Sequence, residues 1–188
     1  MFLRTRPTDE EIAAFIAEQE KQPFSYADVG ASRTTPPANH IVDHNRVDLG
    51  RGAATFARAV AAVRRWVTFE IEAIQLCWPD APIAAGTTVA ILAGVVGAWS
   101  LNACRIVYTV DTPNRFGFAY GTLPEHAVCG EERFLVEWDC ATDVVSYDIL
   151  AFSRPSGVLM GLARPLLRRE QHRFAAGSKA AMQKAVEL

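Results

Sequence analysis

Polar and charged side chains interrupt several segments of this chain that are otherwise apolar. They are His44, Asn45, Arg46, Asn102, Arg105, Tyr120, Glu132, Glu137, Tyr147 and Asp148. An isolated buried charge costs several kcal/mol, so each charged member must face water or meet a partner. Two interpretations stay open. Many of these residues line a solvated face of a sheet, or some converge on a cavity and hold a ligand.

A carboxylate and a histidine are the members of this set that suit acid/base chemistry. We predict Glu137 and His44 as the catalytic candidates. The candidates for ligand binding are Asn45, Arg46, Trp99, Asn102, Arg105, Tyr120, Trp138 and Tyr147. Arg105 and Glu137 each interrupt a hydrophobic strand, so we expect them to meet in one sheet. There they form either an inert ion pair or a pair that holds a ligand.

Metal, phosphate and nucleotide signatures do not occur in the sequence. His40 and His44 share one face of a predicted strand, but four residues separate them by about 13 Å, too far for one metal ion. The chain has no GxSxG elbow, no P-loop and no dinucleotide-binding fingerprint. We therefore expect no metal and no cofactor.

The composition predicts one globular domain. Half of the 188 residues are hydrophobic, and 19 basic side chains nearly balance 21 acidic ones. This balance argues against a nucleic-acid partner and against an anionic membrane surface. Four widely spaced cysteines without a CxxC pair, together with no recognisable secretory leader, predict reduced thiols and a cytoplasmic location.

One uncharged run, from Ala81 to Cys104, is long enough to cross a bilayer as a helix. Its β-branched residues and the glycines Gly94 and Gly97 favour two buried strands joined by a glycine turn. We therefore predict neighbouring core strands at Thr87–Ala93 and Ala98–Val110, and no membrane-spanning segment.

The longest amphipathic pattern runs from Pro155 to Leu188. Apolar residues recur there at spacings of three and four, among them Leu167, Phe174 and Met182. This spacing predicts a helix with one face for a core. Pro165 predicts a kink or a helix start.

Glycines predict two close approaches. Gly117 and Gly121 share one face of the strand Phe116–Thr122, which indicates that something presses against that face. Gly177 allows the last helix to approach other backbone closely.

The order of elements indicates the fold. The Thr8–Glu11 spacing is that of a capping box and begins a short helix. A strand at His40–Leu49 and a helix at Ala53–Val67 come next. About six strands with short hairpins follow, beginning with an extended segment at Phe69–Trp78, and this order predicts an antiparallel sheet. We predict an α+β fold in which a curved antiparallel sheet wraps around the long C-terminal helix. We expect residues 1–24 to form an N-terminal helical extension and residues 25–188 to form a single domain. This order resembles the helix-grip fold of START-like (SRPBCC) proteins.

Several strings from Ser25 onward carry a closer resemblance. They are SYADVGASR (Ser25–Arg33), DHNRVDLGRG (Asp43–Gly52), WSLNACRIVY (Trp99–Tyr108), RFGFAYGTLPEH (Arg115–His126), GEERFLVEW (Gly130–Trp138) and YDILAFSRP (Tyr147–Pro155). These strings resemble those of the DUF1990 family, also called UPF0548. The resemblance is specific to the family and implies no particular activity.

The expected architecture limits the function. A curved sheet closed by a helix encloses a mostly apolar pocket with a few polar anchors. We therefore expect a module that binds a small hydrophobic or amphipathic ligand. The alternative is an enzyme of cyclase, dehydratase or hydrolase type that uses acid/base chemistry in the same pocket. The sequence leaves a homodimer open.

Overall fold

A computed structural model describes residues 1–95 and 97–187. Its strands are β1 (Phe2–Leu3), β2 (Ile41–Arg51), β3 (Ile74–Cys77), β4 (Thr88–Val95), β5 (Ala98–Thr112), β6 (Arg115–Thr122), β7 (Val128–Asp139) and β8 (Val144–Pro155). Its α-helices are α1 (Asp9–Gln19), α2 (Gly52–Arg64), α3 (Gly157–Leu162) and α4 (Arg164–Val186).

The strands form one antiparallel sheet in the order β2-β8-β7-β6-β5-β4-β3. Consecutive strands from β3 to β8 are neighbours, as short hairpin connections require. β2 pairs with β8 along its length, and the short β1 pairs with the first residues of β5. The predicted α+β fold, a curved antiparallel sheet with a long C-terminal helix, is confirmed.

Helix α4 packs on the concave face of the sheet. The ring of Phe174 lies 5.5 Å from that of Phe69 and 6.1 Å from that of Phe134 on β7, measured between centroids. Met182 is fully buried in the same cluster. The hydroxyl of Ser178 lies 2.9 Å from the hydroxyl of Tyr147 on β8, so both buried polar groups are satisfied. The predicted apolar face of the last helix is therefore the one that contacts the sheet.

The start of α4 follows from its proline. Pro165 lies in the first turn of α4, where its missing N–H costs nothing, and α3 precedes it as a separate short helix. Further along, a Cβ on Gly177 would lie 2.8 Å from Cγ2 of Ile71. The glycine thus allows a close approach, but to a side chain and not to backbone as expected.

The N-terminal residues cover the convex face. Ile12 and Phe15 of α1 are buried in a cluster with Leu92 of β4 and Leu101 of β5. The capping box at Thr8 is present as predicted, with both reciprocal hydrogen bonds formed. The helix is therefore docked on the sheet by its small apolar side.

The segment after α1 is held on the convex face by one buried carboxylate. Glu131 accepts hydrogen bonds from the hydroxyl of Tyr26 at 2.7 Å and from the backbone N–H groups of Gly30 and Ser32. Tyr26 also explains a predicted glycine position, because a Cβ on Gly121 would lie 2.1 Å from its hydroxyl oxygen. The prediction that something presses against this face is confirmed.

One predicted strand is mostly wrong. An extended segment was expected from Phe69 to Trp78, but only Ile74–Cys77 forms a strand, preceded by a 3₁₀ turn at Val67–Phe69. Ala73 has a positive φ angle of 65°, which interrupts the extended backbone of this segment.

The uncharged run forms strands as predicted. Residues 88–95 and 98–112 are β4 and β5, which pair directly with each other. Gly97, with a φ of 75°, lies in the turn between them. Among the described residues, the structure contains no helix with the length and apolarity needed to cross a membrane.

Candidate ligand cavity

A cavity of about 220 Å³ lies between the concave face of the sheet and α4. Its apolar walls include Ile91 and Ile149 from the sheet and Leu167 and Phe174 from the helix. The polar residues that bear on its chemistry are Asp43, Asn45, Asn102, Tyr120, His126 and Glu132. The exposed surface of the walls is mostly apolar, with polar side chains between the apolar ones, which is the usual composition of a small-molecule site.

Glu132 on β7 provides a carboxyl group in this apolar setting. It shares the inner face of the strand with Phe134 and Val136, which are fully buried. The hydroxyl of Tyr120 on β6 donates to Oε2 of Glu132 at 2.8 Å. Burial raises the pKa of Glu132 to about 7, against a smaller opposing effect of the Tyr120 hydrogen bond, while the charge of Asp43 raises it further. Near neutral pH, Glu132 can therefore donate or accept a proton.

An ion pair ties β2 to α4 beside Glu132. Arg168 donates from Nη2 to Oδ1 of Asp43 at 2.7 Å and from Nη1 to Oδ2. These hydrogen bonds lower the pKa of Asp43, which is therefore ionised at neutral pH. Arg168 also donates to Oε1 of Gln171, whose amide nitrogen donates to Oγ of Ser153 on β8. The network joins the helix to both strands at this end of the sheet.

His126 lies in the turn between β6 and β7. Its Nδ1 accepts a hydrogen bond from the backbone N–H of Val128 at 3.1 Å. Burial lowers the pKa of His126 to about 4, so the ring is neutral at physiological pH. Nearby, Oδ1 of Asn102 accepts the N–H of Ala127, and its amide donates to the hydroxyl of Ser100 at 2.9 Å. This part of the cavity therefore presents uncharged polar groups.

The structure places three predicted ligand-binding residues at the cavity: Asn45, Asn102 and Tyr120. Oδ1 of Asn45 lies 3.4 Å from Nζ of Lys179 on α4. Tyr147 is also on the concave face, but it is fully buried under α4. Trp138 is on that face further along β7, where its ring stacks on Phe56 of α2.

Both predicted catalytic residues lie on the convex face instead. His44 is exposed, and its Nε2 contacts Oδ2 of Asp148. Glu137 pairs with Arg46 and with Arg115, each at 2.9 Å. The reason is strand alternation, since the neighbours of His44 and Glu137 on either side face the core. The expectation that these residues, with Arg46, surround the cavity is therefore corrected.

Arg105 and Trp99 are on the convex face as well. The guanidinium of Arg105 donates to the carbonyl oxygens of Gln19 at 3.1 Å, Glu20 at 2.9 Å and Gln22 at 3.0 Å. It thus satisfies backbone acceptors at the C-terminal end of α1. Trp99 carries the guanidinium of Arg6 over its ring, 5.4 Å from the centroid. The expected pairing of Arg105 with Glu137 is wrong, because each has its own partners.

Two cavity residues were not chosen as site candidates from the sequence. Both could have been identified from the alternation of side chains along a strand. In the string EERFLVEW, Glu132 falls on the same face as Phe134, Val136 and Trp138, whereas Glu137 falls with Arg133. Likewise, Asp43 alternates with His44 and shares a face with Asn45. His126 and Arg168 gave no such signal, because their roles depend on a turn and on the helix register.

The DUF1990 family model, described as a domain of unknown function, matches residues 25–181. A UPF0548 protein of Dictyostelium discoideum is 35% identical over 207 residues, which is 99% of this chain and 96% of the relative. A UPF0548 protein of Deinococcus radiodurans is 39% identical over 187 residues, which is 93% of each chain.

Among solved structures, the Zhui aromatase/cyclase from Streptomyces sp. R1128 has a TM-score of 0.55 at 15% identity. The superposition covers 79% of this chain and 94% of that chain, so it shows a shared START-like helix-grip fold. Both sequence relatives align over nearly the whole of this chain. The chain therefore belongs to the DUF1990 family, also called UPF0548.

Proposed function

We propose that this protein binds a small hydrophobic or amphipathic molecule in the cavity between the sheet and α4. The observation that carries this proposal is the combination of mostly apolar wall surface with polar side chains that border the same space. A core built only for stability would fill that volume, since protein interiors are close-packed. The polar groups give a ligand orientation, and the apolar walls provide affinity.

Native mass spectrometry of the purified protein tests this proposal. We expect a bound small molecule on the wild-type chain. Ala151 lines the cavity on β8, so Ala151→Phe should fill part of the space and reduce the bound fraction at least about tenfold. Ala141→Phe is the matched control, because Ala141 is exposed in the β7–β8 turn.

The outcomes separate clearly. Loss of the adduct in the Ala151 variant but not in the Ala141 variant supports binding in the cavity. Equal adducts on all three proteins would place any bound molecule elsewhere. If no adduct appears, the binding test is a titration of the protein with Nile red, an uncharged amphipathic dye. Equal binding of Nile red by the wild type and by Ala151→Phe would count against the proposal.

A second candidate function, acid/base catalysis in the same cavity, is favoured by one observation. Glu132 is a buried carboxyl with a pKa of about 7, hydrogen-bonded to Tyr120 and facing the ligand space. As a carboxylate, Glu132 could remove a proton from a carbon next to a ligand carbonyl and later return one. This assigns to Glu132 the role that the sequence suggested for Glu137 and His44.

Proton exchange in heavy water tests this second candidate. Methyl nonyl ketone has acidic C–H groups beside its carbonyl, and a base in the cavity would replace these hydrogens with deuterium. We expect faster exchange with the wild type than with Glu132→Gln, which keeps the shape but loses the basicity. If both proteins bind the ketone and the exchange rates are equal, the protein binds the ligand without catalysing proton transfer.

We also propose that the protein works in a reducing compartment such as the cytoplasm. The four cysteines are free thiols in the structure, and Cys77 and Cys104 are buried. Burial raises the pKa of Cys77 to about 11, which makes its thiol unreactive. Formation of a homodimer stays a prediction that size-exclusion chromatography with light scattering can check.

A further inference from the structure

The turn between β6 and β7 fixes the tautomer of His126. Because Nδ1 of His126 accepts the N–H of Val128, that nitrogen carries no proton. The hydroxyl of Ser156 donates to the carbonyl oxygen of His126 at 2.7 Å, which holds the turn in place. A neutral ring with a bare Nδ1 must carry its proton on Nε2. His126 is therefore a hydrogen-bond donor at Nε2.

No residue in the described part of the chain accepts a hydrogen bond from this Nε2–H. His126 lines the cavity, so the donor is available to a molecule that occupies it. Burial keeps the ring neutral, as its lowered pKa indicates. The donor therefore carries no positive charge with which to attract an anion.

The charges around the cavity also disfavour an anionic ligand. No lysine or arginine is among the described residues that line it. Three neighbouring cations have partners of their own. Arg168 pairs with Asp43, and Lys179 contacts Asn45. The N-terminal ammonium of Met1, whose charge helps to lower the pKa of His126, donates to the carbonyl oxygens of Leu101 and Glu125. Because carboxyl groups such as Glu132 lie on the same walls, an ionised head group would lose its hydration without gaining a counter-charge.

Asp43 and Glu131, two of the carboxyl groups on the cavity wall, already have partners. Asp43 is neutralised by two hydrogen bonds from Arg168. Glu131 also lines the cavity, but its carboxylate accepts hydrogen bonds from Tyr26 and Ser32 on the convex side. Glu132 is separated from Val128, the partner of His126, by four residues of β7, or about 13 Å. The polar groups at His126 and at Glu132 therefore lie in separate parts of the cavity.

We infer that the ligand is an uncharged amphiphile whose carbonyl oxygen, as in a ketone, ester or amide, accepts the Nε2–H of His126. This inference rests on the proposed ligand cavity and adds the chemical class of the ligand. The carbonyl oxygen of a ketone accepts a hydrogen bond and carries no charge. It therefore suits the neutral Nε2–H donor of His126. The alkyl part of such a molecule lies against Ile91, Ile149 and Phe174.

Three probes with alkyl chains of similar length test the inference by displacement of Nile red at neutral pH. They are methyl nonyl ketone, decanoate and decylamine, which differ in the charge of the head group. We expect the ketone to bind at least about tenfold more tightly than either ion, because an unpaired ion must be desolvated. Tighter binding of decanoate or decylamine than of the ketone would overturn the inference.

The variant His126→Asn tests how much the Nε2–H group contributes to binding. The asparagine Oδ1 can still accept the N–H of Val128 and preserve the turn, but its shorter side chain lacks the Nε2–H group. We expect a loss of ketone affinity of about threefold to tenfold, the usual range for one neutral hydrogen bond, and unchanged affinity for decane. His44→Asn, on the exposed convex face, is the control and should bind the ketone like the wild type.

A spectroscopic readout keeps the inference falsifiable if the variant is unstable. Long-range proton–nitrogen NMR spectra of the wild type should show His126 protonated on Nε2 only. Protonation on Nδ1 would overturn the inference. Failure of the inference differs from failure of the proposed function. In the first case Nile red binds and an ionic probe displaces it best, or the tautomer is wrong. In the second case Nile red binding is insensitive to Ala151→Phe.

Discussion

The raised pKa of Glu132 predicts an unusual dependence of stability on pH. In the unfolded chain the carboxyl has its ordinary pKa of 4.5, and in the folded protein its pKa is about 7. Between these values the folded state holds a proton that the unfolded state has lost. The free energy of unfolding therefore falls as the pH rises through this window, and the contribution of Glu132 levels off above it. Most carboxylates in proteins, with lowered pKa values, have the opposite effect.

The difference between the two pKa values corresponds to about 3 kcal/mol of unfolding free energy, or about 1.4 kcal/mol per pH unit within the window. Glu132→Gln should remove this contribution, because glutamine does not ionise and its amide oxygen can still accept the hydroxyl of Tyr120. The variant should match the wild type near pH 5 and exceed it by about 2 to 3 kcal/mol near pH 8.

Urea unfolding of both proteins at a series of pH values measures this difference. Comparing the two proteins at each pH cancels the contributions of all other titrating groups. Tyr120→Phe provides a second check, because it removes a hydrogen bond that lowers the pKa of Glu132 and should shift the transition to higher pH. A difference between wild type and Glu132→Gln that is constant from acid to alkaline pH would refute the reasoning.

Three further predictions concern the packing around the site. Phe174→Ala should lower the unfolding free energy by about 3 kcal/mol, since the ring packs on Phe69 and Phe134; an unchanged melting temperature would show that α4 does not organise the core. Gly121→Ala should destabilise the protein by displacing the Tyr26 ring, and Tyr26→Ala should make the alanine tolerable; equal costs of Gly121→Ala in both backgrounds, measured by thermal melts, would contradict this. A double-mutant cycle of Arg168→Met and Asp43→Asn should give a coupling of about 1 kcal/mol or more; additive losses would mean that the pair does not hold α4 to β2.

The fold was largely predictable because its signals are local and repeated. Helical spacing around Phe174 and Met182 indicated the helix that packs on the sheet, and glycines on one face of β6 indicated the close contact with Tyr26. The extended segment expected at Phe69–Trp78 was mostly wrong, because a 3₁₀ turn at Val67–Phe69 and a positive φ angle at Ala73 shorten the strand to Ile74–Cys77.

The site was less predictable because residue type alone does not tell which face of a strand a side chain occupies. Asn102 and Tyr120 line the cavity, whereas Glu137 and Arg105 have their own partners on the convex face. Stricter use of strand alternation would have chosen Glu132 over Glu137. The donor role of His126 depends on a hydrogen bond within a turn, which no periodic pattern records.

The most direct test of the central claim is the location of a bound ligand. NMR spectra of isoleucine δ1 methyl groups, recorded while methyl nonyl ketone is added, report on both faces of the sheet at once. Ile74, Ile91 and Ile149 line the cavity, whereas Ile12 and Ile16 of α1 belong to the convex side. We predict saturable shifts for the three cavity methyls and none for the two on α1. Shifts confined to Ile12 and Ile16, or no saturable shift at all, would contradict a ligand site between the sheet and α4.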